Sequence, residues 1–82
     1  MLLTNQQIAR KLREHAAQLA RGGDNLYRVR AFRQAAIAVL ALPEEISALV
    51  EANGHRALER LPCIGKSLAG TIAGYLNTTS FA

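Results

Sequence analysis

The residues of this chain best suited to chemistry form one run, Leu61-Pro62-Cys63-Ile64-Gly65-Lys66-Ser67-Leu68-Ala69. Pro62 and Gly65 predict a tight turn directly before a helix, and such a turn points several unpaired N–H groups outward. With the positive end of the following helix, those amides form a cradle for one phosphate oxygen. Lys66 and Ser67 add a charge and a hydroxyl. A contact of this kind reads a phosphate backbone and carries no base-sequence information. The plain alternative is a helical hairpin whose Pro and Gly only reverse the chain. For a bare Pro-x-x-Gly that alternative is the stronger; here more of a pattern is present, since Leu61 and Ile64 flank the turn as hydrophobic anchors and Leu68, Ala69 and Ile72 give the second helix an inward face.

Helices must position that turn. Thr4 with Gln7 three residues later predicts a capping box, and Ile8, Leu12, Ala16 and Leu19 recur at helical spacing until Gly22-Gly23, so a first helix is expected over 4–21. Asp24 and Asn25 can cap a second, with an inward stripe of Val29, Phe32, Ala36, Val39 and Leu40 and an end near Leu42. Pro43 fits a first turn and Gly54 a C-terminal stop, predicting a third helix over 43–52. A short helix over 55–60 leads into the turn, and the last runs over 66–76, with residues 77–82 expected to fray. The expected fold is all-α: a compact four- to five-helix unit containing one helix-hairpin-helix, with residues 1–82 as one domain.

Composition narrows the function classes. The 82 residues hold 10 Lys+Arg against 6 Asp+Glu, a net charge of +4. Eight of the cations are arginine, which suits planar contact with phosphate. A modest positive charge also serves solubility, so charge alone leaves an anionic partner and a merely soluble surface equally open. The one cysteine, Cys63, excludes an internal disulfide, and two distant histidines give no zinc ligand set. No stretch approaches the roughly 18 apolar residues of a membrane span and no leader pattern opens the chain, so a cytoplasmic location and no membrane partner are expected.

The string Leu61 to Gly65 resembles the helix-hairpin-helix pattern Leu-Pro-Gly-Ile-Gly. Together with Asn25-Leu26-Tyr27-Arg28-Val29-Arg30-Ala31-Phe32-Arg33-Gln34-Ala35-Ala36 and the run from Leu61 to Leu76, it looks like the amino-terminal domain of family X DNA polymerases, over nearly the whole chain. That resemblance implies binding of gapped, nicked or 5′-phosphorylated DNA in repair, without sequence specificity. By matching position it implies Tyr27 and Arg28 at the 5′ end of the downstream strand, and a backbone phosphate held by Cys63, Ile64, Gly65, Lys66 and Ser67. It also implies a monovalent cation, Na+ or K+, on the carbonyls of Glu59, Leu61 and Ile64. The partners implied are DNA and a polymerase catalytic domain or another repair protein. Arg30 and Arg33 share the helix with Arg28 and stay open between phosphate contact and a solvated face.

Three departures qualify the match. Cys63 stands where the pattern has its first glycine, adding a side chain where backbone approaches DNA. The lyase members of the family need a lysine where Thr71 stands, because an unprotonated amine must attack the sugar aldehyde. Asp24 is the only aspartate, too few carboxylates for a two-metal polymerase site. No enzyme activity is therefore expected. The alternatives are a 5′-deoxyribose-phosphate lyase using Lys66 and a helical protein-interaction module. His15 and His55 are isolated, His15 expected in solvent and His55 at the start of the short helix; Phe32 and Tyr75 lie at core spacing, and Tyr27 is the aromatic expected to be exposed.

Overall fold

The structure is a computed structural model that describes residues 3–80, with side chains through 77. Among the described residues the chain forms five helices and no strand: α1 Asn5–Arg21, α2 Leu26–Ala41, α3 Ile46–Asn53, α4 Arg56–Glu59 and α5 Lys66–Ser80. None is long and apolar enough to cross a membrane.

The local signals at the start of the chain act as expected. The Thr4 hydroxyl accepts from the Gln7 amide at 3.2 Å and the Gln7 side chain accepts from the Thr4 amide at 2.9 Å, a reciprocal cap that satisfies two orphan donors. After Arg21 the chain leaves α1 through bonds from the Gly23 amide to the Ala20 carbonyl (3.2 Å) and from the Asp24 amide to the Leu19 carbonyl (2.9 Å). This Schellman arrangement requires a left-handed residue, and Gly23 supplies it at φ 76°. Asn25 then caps α2, accepting from the Tyr27 amide at 2.7 Å.

α1 and α2 pack along their length through Ile8, Leu12, Ala9 and Ala16 on one side and Val29, Phe32, Ala35, Ala36 and Val39 on the other. Four buried alanines at this seam let the two helices approach closely. Here the expected stripe needs one correction: Leu40 is exposed and Ala35 is buried. Leu40 lies about 80° round the helix from the centre of the buried face, and the close approach of α1 selects the small residue on the opposite flank.

The third helix starts later than expected. Pro43, Glu44 and Glu45 lie outside it, and Glu45 is extended at ψ 134°. Asn5, on the first turn of α1, decides the boundary: its Oδ1 accepts from the Ile46 amide at 2.7 Å and its Nδ2 donates to the Glu44 carbonyl at 2.8 Å. The Glu45 carboxylate in turn accepts from the Asn5 amide at 3.0 Å. One helix thus caps another, and Asn5 is the one buried polar residue among those described. The fourth helix is a single turn, with exposed His55 at its N-cap position but no side-chain cap bond.

α5 closes the core with Leu68, Ala69, Ile72 and Leu76 against Leu58 and Ile64. Its backbone continues through Ser80, so residues 77–80, expected to fray, are helical; no Gly or Pro interrupts Asn77 to Ser80, and Leu76 anchors the preceding turn. Phe81 and Ala82, also expected to fray, lie outside the described residues. His15 departs from its expected solvent position. At the edge of the α1 stripe, three residues after Leu12 and four before Leu19, it is half-buried, with its ring 4.5 Å from that of Phe32. Its Nδ1 lies 3.4 Å from the hydroxyl of half-buried Tyr75. Burial, and secondarily the Glu14 carboxylate, raise the Tyr75 phenol above its ordinary pKa, keeping it protonated and able to donate.

Candidate nucleic-acid interface

The link between α4 and α5 is built from two tight turns. The Leu61 amide donates to the Leu58 carbonyl and the Ile64 amide to the Leu61 carbonyl, both at 3.2 Å. Pro62 and Cys63 occupy the middle of the second turn, and Cys63 is left-handed at φ 64°, the pattern of a type II turn. Ile64 is buried and Leu61 packs on the core, so the loop is pinned from inside while Cys63 and Gly65 face outward.

Cys63 is the only non-glycine residue among those described with a positive φ. The left-handed region costs an L-residue about 1–2 kcal/mol, and a glycine costs roughly 0.5–1 kcal/mol in added unfolded-chain entropy. Cys63→Gly is therefore expected to stabilise the domain by about 0.5–1 kcal/mol in urea denaturation. A less stable variant would show that the thiol makes a contribution of its own.

Past the turn, the Gly65 carbonyl accepts from the Ala69 amide at 2.8 Å and opens α5. The amides of Gly65, Lys66, Ser67 and Leu68 have no backbone acceptor and sit at the positive end of the longest helix near the hairpin. Gly65 is not needed for a positive φ. A Cβ built there meets nothing within 4 Å, so the position is open and carries no side chain beside these amides.

Of the arginines expected to contact phosphate, the structure brings one to the hairpin. Arg28, Ala31 and Phe32 of α2 and Gly65 to Leu68 of α5 line a shared open cleft of about 560 Å³. The Arg28 guanidinium lies 3.8 Å from the Asp24 carboxylate, one turn earlier, and both are solvent-accessible. Such a pair contributes at most about 1 kcal/mol, so it orients the guanidinium without withholding it from a stronger anion.

Arg30 and Arg33 are exposed elsewhere. They follow Arg28 by two and five residues, about 200° and 140° round the helix, and line no part of the cleft. Tyr27 is 84% exposed and borders a separate hollow of about 200 Å³ with Leu26 and Arg30. Gly65, Lys66 and Ser67 therefore share one cleft with Arg28, whereas Cys63, Ile64, Tyr27, Arg30 and Arg33 do not line it. Ala31 and Phe32 enter the cleft unforeseen, although their spacing of three and four from Arg28 puts them on its face.

The carbonyls expected to hold a monovalent cation suit that use chemically. Those of Glu59 and Ile64 accept no backbone bond, and that of Leu61 accepts one and keeps a second lone pair. Among the described residues no cluster of three or more His, Cys, Asp or Glu side chains could hold a metal ion. At the position where the resemblance would put a lysine, the Thr71 hydroxyl donates back to the Ser67 carbonyl at 3.2 Å.

A family model described as helix-hairpin-helix domain matches residues 3–81. No curated protein and no solved structure gives a significant match.

Proposed function

The chain belongs to the helix-hairpin-helix domain family, and from that premise we propose that it binds gapped, nicked or 5′-phosphorylated DNA during repair, through phosphates alone. Domains of this family generally bind DNA without sequence specificity. The finer reading rests on one observation, that Arg28 and the open amides of Gly65 to Leu68 share a cleft. The amides and the α5 dipole receive a backbone phosphate, and Lys66 and Ser67 border the same space. Arg28 reaches a second, more highly charged phosphate, whose oxygens a guanidinium can meet two at a time. A monovalent cation on the Glu59, Leu61 and Ile64 carbonyls would add positive charge beside the bound strand. Cys63→Gly should tighten binding by letting the backbone approach more closely.

The reading assigns no catalytic step to this chain. What supports that is Thr71, which puts a hydroxyl committed to the Ser67 carbonyl where the lyases carry an amine. The chemistry of repair falls to a partner, such as a polymerase catalytic domain.

The test is a competition assay on gapped duplex with and without a 5′-phosphate. With two to four phosphates engaged, the log–log salt slope should be roughly −2 to −4, and affinity for intact duplex about micromolar. The 5′-phosphate should improve binding, and Arg28→Ala should erase that preference while leaving duplex binding through the hairpin. A parent protein indifferent to the 5′-phosphate removes gap recognition and leaves general backbone binding.

A further inference from the structure

The face of α2 turned away from the hairpin cleft carries Leu26, Arg30, Arg33, Ile37 and Leu40, spaced 4, 3, 4 and 3 residues apart. At 100° per residue these five fall within about 80° of one another, centred about 115° round the helix from the middle of its buried side. The three apolar side chains are 71%, 68% and 47% exposed, and the described residues pair neither arginine with a carboxylate. Spacing of that kind is the seam of a helix that packs on another helix, and none of the described residues covers it. Both ends of the stripe continue into hollows of the same mixed character, one formed by Leu26, Tyr27 and Arg30 and the other by Leu40 with Arg10 and Arg13 of α1.

We propose that this stripe is a second docking surface, separate from the DNA site, whose occupant is an acidic amphipathic helix of a protein partner, about four turns long. Leu26, Ile37 and Leu40 would receive its apolar side chains, and Arg30 and Arg33 the carboxylates beside them. Charge selects this occupant. A second copy of the chain packed antiparallel on the same stripe sets Arg33 against Arg33, a like-charge contact at the centre of the seam. A DNA backbone would satisfy the arginines but set phosphates against leucine and isoleucine, which gain nothing from them. An acidic helix answers both features at once, in the helix-in-groove mode of recognition.

The probe is a synthetic 18-residue peptide with leucines at heptad spacing and glutamates beside them. Two controls accompany it, one with lysine replacing every glutamate and one with the acidic sequence scrambled. Binding is followed on the ¹⁵N-labelled domain by amide shifts and, separately, by anisotropy. The acidic helix is expected to shift the amides of residues 26–40, and both Arg30→Glu/Arg33→Glu and Leu26→Ser/Ile37→Ser to weaken it at least tenfold. Because all four positions are exposed, the variants should keep the parent's circular dichroism. Leu26→Ser/Ile37→Ser should bind gapped duplex within twofold of the parent, which separates this surface from the DNA reading. The proposal is overturned if the acidic peptide does not bind, if either control peptide binds as well, or if the shifts map elsewhere. A tenfold loss of DNA affinity in Leu26→Ser/Ile37→Ser would assign the stripe to DNA. A dimer that sediments as monomer once the stripe is changed would assign it to self-association.

Discussion

Gly65→Glu is expected to abolish measurable DNA binding while leaving the helical circular dichroism of the domain intact. The fold survives because Gly65 is outside the left-handed region and a Cβ added there meets no atom within 4 Å. Binding fails because a flexible carboxylate added beside these amides competes with the phosphate for them. A carboxylate in front of the Gly65 to Leu68 amides occupies the cradle, accepts their hydrogen bonds and repels the incoming charge. Losing one charge-assisted contact costs about 1.5–3 kcal/mol, a roughly ten- to hundredfold drop, and repulsion adds to it. Since the whole interface engages so few phosphates, that loss takes a micromolar complex out of range. Gly65→Ala provides the graded control, a methyl group in the same place with no charge and a smaller loss. Titration of duplex with parent, Ala and Glu proteins decides the matter, and equal affinity across the three removes the hairpin from the binding surface.

Asn5→Ala is expected to destabilise the domain by about 2–3 kcal/mol. The substitution deletes the acceptor of the Ile46 amide and the donor to the Glu44 carbonyl. Ile46 is fully buried, so its amide cannot turn to water, and an orphaned buried donor costs about 1–3 kcal/mol beyond the bond itself. A domain of this size has about 4–12 kcal/mol in total, so the melting temperature should fall by roughly 10–20 °C. Asn5→Asp keeps an acceptor for the Ile46 amide, loses the bond to Glu44 and sets a second carboxylate near Glu45, so it should fall between parent and Ala. Thermal unfolding followed at 222 nm measures all three. A change below about 0.5 kcal/mol for Asn5→Ala would mean that the α1–α3 bonds contribute nothing net and that the Pro43 loop alone starts α3.

Much of this molecule was legible in its sequence, wherever cause and effect lie within one helical turn. The Thr4–Gln7 cap, the Asn25 cap, the Gly22-Gly23 exit from α1 and the hairpin between Leu61 and Gly65 each follow from groups a few residues apart, whose hydrogen bonds close locally. The resemblance puts a glycine at position 63, and the structure adds the backbone reason, a left-handed residue that Cys63 supplies at a cost. By itself the sequence determined an all-helical chain, the seams of most helices, and a turn with open amides before α5.

The tertiary structure decided what depended on atoms far apart in the chain. Pro43 favours a helix start by local propensity, yet Asn5, some forty residues away, moves it to Ile46, because a buried amide takes whichever acceptor the packing places there. Leu40 is more apolar than Ala35, yet Ala35 is inside, since two helices in close contact select for size before hydrophobicity. His15 became a packing residue only when α2 and α5 brought Phe32 and Tyr75 to it. Arginines 28, 30 and 33 differ in the sequence only by angle. It was the placement of the start of α5 beside one side of α2 that put Arg28 on the same cleft as Gly65 to Leu68 and left Arg30 and Arg33 off it, because a rigid helix presents only one side to any neighbour.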